Sequence, residues 1–186
     1  MNTERLFLRP LKSADAETIL HYRSDPIANQ YQGWIPKTID DVHAFIKDRV
    51  SPTIDLVGTW YQFVIIKKES DELIGDIGIH FLDPNKKQVE LGYTLDKNHQ
   101  GKGYATEALA AIINCLFNEL NKCQIETAID PKNIKSIELV ERLGFRKEAH
   151  RNENILPNGA WGGDLVYEIL KEEWVASRWG RIHTKS

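Results

Sequence analysis

Between Thr59 and Leu95 the chain carries three β-branched and aromatic runs, Trp60 to Ile66, Leu73 to Leu82 and Gln88 to Leu95, separated only by Asp71-Glu72 and Asp83-Pro84-Asn85. Connections this short join antiparallel neighbours, because parallel strands need a crossover of about a dozen residues or more. An antiparallel meander therefore occupies the middle of the fold. The longest helical pattern follows, Gly103 to Asn121, with Ala105, Leu109, Ile112, Ile113 and Leu116 on one side. Gln124 to Ile129 is then a strand reached across a helix, free to lie parallel to the strand ending at Leu95.

The flanking segments complete a mixed α/β pattern. Arg5-Leu6-Phe7-Leu8-Arg9 alternates charge and apolarity and stops at Pro10, as a short half-buried strand does. Ser13 stands where a helix N-cap would, with Asp15 and Glu17 in the first turn and Ala16, Ile19, Leu20 and Arg23 at helical spacing, up to an end near Pro26. Thr38 and Asp41 form a capping box for a second helix that presents Val42, Phe45 and Ile46. Between these helices lies the aromatic loop Tyr31 to Pro36. A helix from Asn133 to Leu143 is stopped by Gly144. Phe145 to Asn154 and Leu165 to Leu170 read as strands around a Pro157-Asn158-Gly159 turn, and Glu172 to Trp179 as a short final helix. No internal repeat or linker divides residues 1–186, so a single domain is expected.

Composition excludes several classes. With 41% hydrophobic and 27% charged residues the chain can bury a core and has no signature of disorder. A net charge of −3 without a Lys or Arg run argues against direct nucleic-acid binding. The longest apolar stretch, Ala108 to Phe117, is interrupted by Asn114 and is far short of the roughly 20 residues of a membrane span. The Met-Asn-Thr-Glu-Arg start lacks the pattern of a secretory leader, so a cytoplasmic location is expected. Cys115 and Cys123 have no CxxC or Cys/His companions, and the six histidines no ligand spacing, so neither a disulfide nor a metal is expected.

The most informative segment is Gln100-Gly101-Lys102-Gly103-Tyr104-Ala105-Thr106, placed after a strand and opening the long helix. Glycines there let the backbone turn sharply with N–H groups outward, and the helix dipole favours an anion such as a pyrophosphate. The plainer reading is a tight strand-to-helix turn. A Walker A loop fails because Lys102 is followed by Gly103 and lacks the upstream glycine. A dinucleotide fingerprint fails because Thr106 replaces its third glycine and the preceding strand closes an antiparallel meander, although Glu126 lies at a suitable distance.

Gln100-x-x-Gly103-x-Ala105 resembles the Arg/Gln-x-x-Gly-x-Gly/Ala pyrophosphate motif of the GCN5-related N-acetyltransferases, the GNAT enzymes. The likeness extends through Thr3 to Leu11, Glu90-Leu91-Gly92-Tyr93, Gly101 to Leu109, Asn133-Ile134-Lys135-Ser136 and Leu143-Gly144-Phe145-Arg146, in the order of the branch containing the ribosomal-protein N-terminal acetyltransferases. The resemblance implies a seven-stranded mixed, mostly antiparallel sheet with flanking helices, whose fourth and fifth strands splay apart around acetyl-CoA. It further implies that the backbone of Tyr93, Thr94 and Leu95 pairs with the pantetheine. The amides of Gln100, Gly101, Lys102, Gly103, Tyr104, Ala105 and Thr106 would hold the pyrophosphate, which a bulky residue at position 103 would block, and Asn133 would touch the pantetheine. Asn133 also suits the N-cap of its helix, with Ser136 three residues on; the two roles are compatible.

Amide formation from a thioester needs a deprotonated amine, a polarised carbonyl and an outlet for the thiolate. No covalent nucleophile is needed, and neither cysteine has a plausible His partner, so direct transfer is expected. Glu90 is the candidate base, on the face of its strand shared with Gly92 and Thr94; the competing reading is a solvated or ion-paired strand residue. Asp130, the second candidate, reads as an ordinary Asp-Pro turn. The tyrosine that many GNAT enzymes place about two turns after the asparagine is missing from Glu138-Leu139-Val140-Glu141, and the ribosomal-protein branch suggests Ser136 as the acid instead. Trp34, Trp60, Tyr61 and Trp161 could wall an acceptor cleft, with Asp164 facing an ammonium, although each of these aromatics also suits packing.

The expected function is acetyl transfer from acetyl-CoA to a protein N-terminal amine, by a monomer or homodimer. Transfer to a small amine of the polyamine or aminoglycoside kind is the alternative on the same scaffold. A silent acyl-CoA-binding sensor is the alternative of another class.

Overall fold

A computed structural model describes residues 1–83, 87–148 and 163–182. Its seven strands are β1 (Leu6–Pro10), β2 (Trp60–Lys67), β3 (Glu72–Asp83), β4 (Gln88–Leu95), β5 (Gln124–Ile129), β6 (Arg146–Lys147) and β7 (Leu165–Leu170). They form one sheet in the order β1-β2-β3-β4-β5-β7-β6, antiparallel throughout except for the β4–β5 pair. The mixed sheet expected from the sequence is thus present.

The helices are α1 (Ala16–Arg23), α2 (Ile39–Arg49), α3 (Tyr104–Asn114), α4 (Ile134–Arg142), α5 (Lys171–Ala176) and α6 (Arg178–Ile182). One sheet face packs Val64 and Ile66 against Ala16, Ile19, Tyr22 and Val42 of α1 and α2. The other packs Ile77, Ile79, Val89 and Leu91 against Ala108, Leu109, Ile112, Leu139 and Val140 of α3 and α4. Each Val, Leu or Ile among these, fully buried, contributes roughly 1.5–3 kcal/mol, so these two layers hold the helices against the sheet.

Several boundaries differ from the sequence reading, each for a local reason. Ser13 does not cap α1; it starts a 3-10 turn, Ser13–Asp15, and the Asp15 carboxylate takes the Lys12 amide at 2.8 Å while pairing with Arg9 at 2.7 Å. The long helix from Gly103 keeps α geometry only to Asn114 and continues as a π-helix over Cys115–Glu119. Asn114 is buried there because its side-chain oxygen accepts the Trp174 indole N–H at 2.8 Å. The final helix splits at Ser177, whose Oγ donates to the Trp174 carbonyl and accepts the Trp179 amide. The capping box of α2 and the Gly144 stop of α4 are present: Asp41 N–H donates to Thr38 Oγ1 and Thr38 N–H to Asp41, while Gly144 has φ 94° and its amide meets the Glu141 carbonyl. The expected extension of β6 to Asn154 and the Pro157-Asn158-Gly159 turn lie outside the described residues.

The parallel β4–β5 pairing covers only Gln88 with Gln124, Val89 with Ile125 and Glu90 with Glu126. Beyond it β4 stays on β3, ending with Leu95 opposite Gly75, and β5 stays on β7, ending with Ile129 opposite Leu165. The sheet therefore opens into a wedge whose apex is Glu90.

Candidate active site

The wedge has one wall with unspent backbone groups. The Asp96 amide donates to the Ile74 carbonyl at 2.8 Å, so strand alternation turns the backbone of Thr94 and Gly92 toward β3 and that of Tyr93 and Leu95 into the wedge. The carbonyls of Tyr93 and Leu95 accept side-chain amides instead, from Gln32 at 3.4 Å and Gln100 at 3.1 Å. Of the three residues assigned to a pantetheine, two thus present backbone and Thr94 presents only its side chain.

The wide end of the wedge leads to the glycine loop. Gly101 and Gly103 sit at φ 75° and 81°, conformations that oppose a Cβ, and at Gly103 a Cβ would also press on Arg5 Nη2 at 3.3 Å. Gly103 caps α3, and the first intrahelical bond runs from the Glu107 amide to its carbonyl at 3.1 Å. The amides of Tyr104, Ala105 and Thr106 therefore point out of the helix, an arrangement suited to a pyrophosphate. The Lys102 ammonium folds back onto the Asn98 carbonyl at 3.0 Å. Burial works to raise the Glu107 pKa, but hydrogen bonds from Thr3 and Arg5 outweigh it and hold the carboxyl below its usual value.

Glu90 belongs to a row that crosses six strands. Register places Trp60 beside His80, His80 beside Glu90, Glu90 beside Glu126, Glu126 beside Glu168 and Glu168 beside Arg146, all on the α1–α2 face of the sheet. His80 Nδ1 lies 3.4 Å from the Glu90 carboxylate and its ring stacks on Trp60 at 4.7 Å. Glu168 is neutralised by Arg146 at 2.6 Å, and Glu126 accepts the Gln88 amide. Adjacent like charges across strands are unfavourable, which makes three consecutive glutamates at the wedge apex a departure from ordinary sheet chemistry. Sequence reading found Glu90 but assigned no role to His80, Glu126 or Glu168; their shared row follows from strand register, which short-range pattern does not fix.

Opposite β4, Asn133 caps α4, its Oδ1 accepting the Ser136 amide at 3.3 Å. The Tyr93 hydroxyl reaches across to the Ser136 carbonyl at 3.5 Å, and burial pushes its pKa up to about 12. A tyrosine hydroxyl thus does stand beside Ser136, supplied by β4 and not by α4. Asp130 accepts the Lys132 amide at 2.7 Å, the ordinary turn that its sequence suggested.

The acceptor-side residues are dispersed. Trp34 stacks on Phe45 of α2 at 4.2 Å and lies under the Arg23 guanidinium at 5.3 Å. Trp60 stands beside Glu90's partner, while Tyr61 packs into the core on the other face. Asp164 is exposed just ahead of β7, and Trp161 lies outside the described residues. Cys115 and Cys123 are free thiols; burial and Glu119 raise Cys115 to about 11, which leaves it protonated and unreactive. A cleft of about 600 Å³, lined by Arg9, His21, Glu72, Asp96 and His99, contains none of the residues assigned to cofactor or acceptor. Among the described residues no helix is long and apolar enough to cross a membrane, and no three His, Cys, Asp or Glu side chains gather around a metal-sized site.

Comparison with known proteins agrees with this geometry. The profile of the Acetyltransferase (GNAT) domain matches residues 5–146. An uncharacterised N-acetyltransferase of Bacillus licheniformis, p20, is 36% identical over 172 residues, which span 92% of this chain and 96% of that protein. The alanine N-acetyltransferase of ribosomal protein uS5 from Escherichia coli is 24% identical over 96% of this chain and 94% of its own. The spermidine N-acetyltransferase of Vibrio cholerae, solved with CoA and spermine, superposes with a TM-score of 0.77 at 21% identity, covering 93% of this chain and 99% of that one.

Proposed function

This chain belongs to the GNAT family of acetyltransferases, which take their acyl group from acetyl-CoA, and from that premise we propose that it acetylates a protein N-terminal amine by direct transfer within the β4–β5 wedge. The observation that carries the reading is the end of β4–β5 pairing at Glu90, which leaves the backbone of Tyr93 and Leu95 facing the wedge, with the Gly101–Gly103 loop following β4 at its wide end. A pantetheine pairing like a strand would displace the Gln32 and Gln100 amides and run from that loop toward Glu90.

In this reading the neutral amine attacks the thioester carbonyl carbon, the C–N bond forms, and the ammonium proton passes to Glu90 directly or through water. Collapse breaks the C–S bond and the electron pair leaves on sulfur, with Ser136 and the Tyr93 hydroxyl, 3.5 Å from the Ser136 carbonyl, as the donors assigned to meet it. The likeness along nearly the whole chain to a uS5 alanine acetyltransferase supports an N-terminal acceptor.

One observation favours a second acceptor. Glu90 and Glu126 stand opposite each other on adjacent strands whose backbones are about 5 Å apart, close to the separation of amines in a linear polyamine. Thermal shift with acetyl-CoA beside NAD and ATP tests the cofactor; only acetyl-CoA should raise the melting temperature. Thiol release with N-terminal peptides beside spermidine then tests the acceptor. Binding without turnover of any amine would instead identify a sensor.

A further inference from the structure

Thr94 is 5% exposed, and its Oγ1 has no hydrogen-bond partner among the described residues. Polar atoms this deeply buried are nearly always paired, and an exception calls for an explanation, a catalytic role or a bound ion or water among them. Its neighbours do not explain it. Asp76, the register partner of Thr94, already accepts Tyr22 at 2.5 Å, Arg23 at 3.0 and 2.6 Å and the Gln62 amide. The Thr94 backbone is turned toward β3, so the hydroxyl is what this residue can offer to the wedge.

Thr94 shares its strand face with Gly92 and Glu90, and a Cβ built on Gly92 would meet nothing within 4 Å. An open slot therefore lies between the hydroxyl and the carboxylate, which are separated by four residues, about 13 Å along the strand. A ligand occupying the wedge as an added strand would run about 4.8 Å from β4, within reach of a hydroxyl on the flanking Cβ.

We propose that the Thr94 hydroxyl is a catalytic donor that meets the acyl carbonyl oxygen of the bound thioester, with the attacking amine in the slot over Gly92. This rests on the acetyl-CoA reading given above. As the amine nitrogen bonds to the carbonyl carbon, the carbonyl electron pair moves onto oxygen and the Thr94 O–H hydrogen-bonds to it without giving up its proton. When the oxygen reforms its double bond, the C–S bond breaks and the pair leaves on sulfur, while the ammonium proton travels through water to Glu90.

Thr94→Val and Thr94→Ser test the assignment by two routes. Val removes the hydroxyl while keeping the shape, so the unliganded variant should melt at the wild-type temperature or above it. Its kcat for thiol release should fall about 10- to 100-fold, up to the lower limit of the roughly 100- to 1,000-fold that losing an oxyanion donor costs. Titration calorimetry should show its preference for acetyl-CoA over CoA reduced with CoA affinity kept. Ser should retain kcat within about threefold, the hydroxyl being restored. An unchanged kcat together with an unchanged acetyl-CoA to CoA ratio in Val overturns the proposal, as does a Ser variant as slow as Val. If the wild type binds no acetyl-CoA, the acyl-CoA reading fails and this inference goes with it; binding and turnover with an indifferent Val variant removes this inference alone.

Discussion

Arg5 Nε lies 2.6 Å from the Glu107 carboxylate, and the same guanidinium donates to the Lys102 carbonyl at 2.9 Å and covers the Tyr104 ring at 4.6 Å. One side chain just before β1 thereby fastens both the glycine loop and the first turn of α3. Arg5→Ala should leave the fold intact, since a partly exposed pair contributes only about 0.2–1 kcal/mol. It should weaken acetyl-CoA binding about threefold to tenfold by loosening the loop, because positioning losses of 0.7–1.4 kcal/mol convert to roughly that factor. Calorimetric titration with CoA measures it; unchanged affinity would mean that the loop holds its shape without Arg5.

Glu90 sits at the last paired position of β4 and β5, 3.4 Å from His80. Replacing the carboxylate by an amide keeps the size and removes the proton acceptor. Glu90→Gln should therefore lower kcat about 100-fold or more while leaving acetyl-CoA affinity within about twofold, the range of general-base contributions being roughly 10² to 10⁴. An unaltered kcat in steady-state thiol release would take Glu90 out of the mechanism.

The sequence and the structure agree best where local chemistry decides. The short connections of the meander required antiparallel pairing, and Thr38, Asn133 and Gly144 announce helix ends through hydrogen bonds that span only a few residues. The loop at Gly101 and Gly103 was readable for the same reason, since positive φ selects glycine. What escaped depends on partners far along the chain. Asp76 in the middle of a strand looks like a solvent-facing residue until Tyr22 and Arg23 are seen to reach it, and Asn114 looks like a flaw in an apolar helix until Trp174 arrives. The glutamate row belongs to this second kind, because its three members come together only through the register of three different strands.

Asp76 is 2% exposed and Arg23 7%, and their ion pair at 2.6 Å pins α1 to the centre of β3. Asp76→Ala leaves a buried guanidinium without its carboxylate. Breaking a buried pair from one side costs about 3–5 kcal/mol, a large share of the stability of a domain this size. Urea unfolding should show a lowered midpoint with little change in slope. Arg23→Met combined with Asp76→Leu should recover most of the loss; a single variant as stable as wild type would mean that water reaches the guanidinium.

Asp15, Asp25 and Glu107 are among the carboxyls held below their ordinary pKa values in the folded chain. Burial works against ionisation at Asp15 and Glu107, yet Arg9 and the Lys12 amide at the first, and Thr3 and Arg5 at the second, outweigh it. At Asp25 the Lys97 ammonium and the Ala28 and Ile27 amides lower the value to about 2. A carboxyl whose folded pKa is depressed binds its proton more readily in the unfolded chain, so its contribution is complete above the ordinary carboxyl range and is lost as pH falls through the folded value. The stability of this protein should therefore be level from neutrality to about pH 5 and decline toward pH 2, following the interval between unfolded and folded carboxyl pKa values. Urea midpoints taken from pH 6 to pH 2.5 would trace the decline, and salt should shrink the part due to the exposed Asp25–Lys97 pair. In Asp15→Asn the decline should be shallower, with stability at pH 6 already reduced, because the variant has given up in advance what acid removes from the wild type. A variant with the same acid slope as wild type would show that the Arg9–Asp15 pair is not part of the linkage.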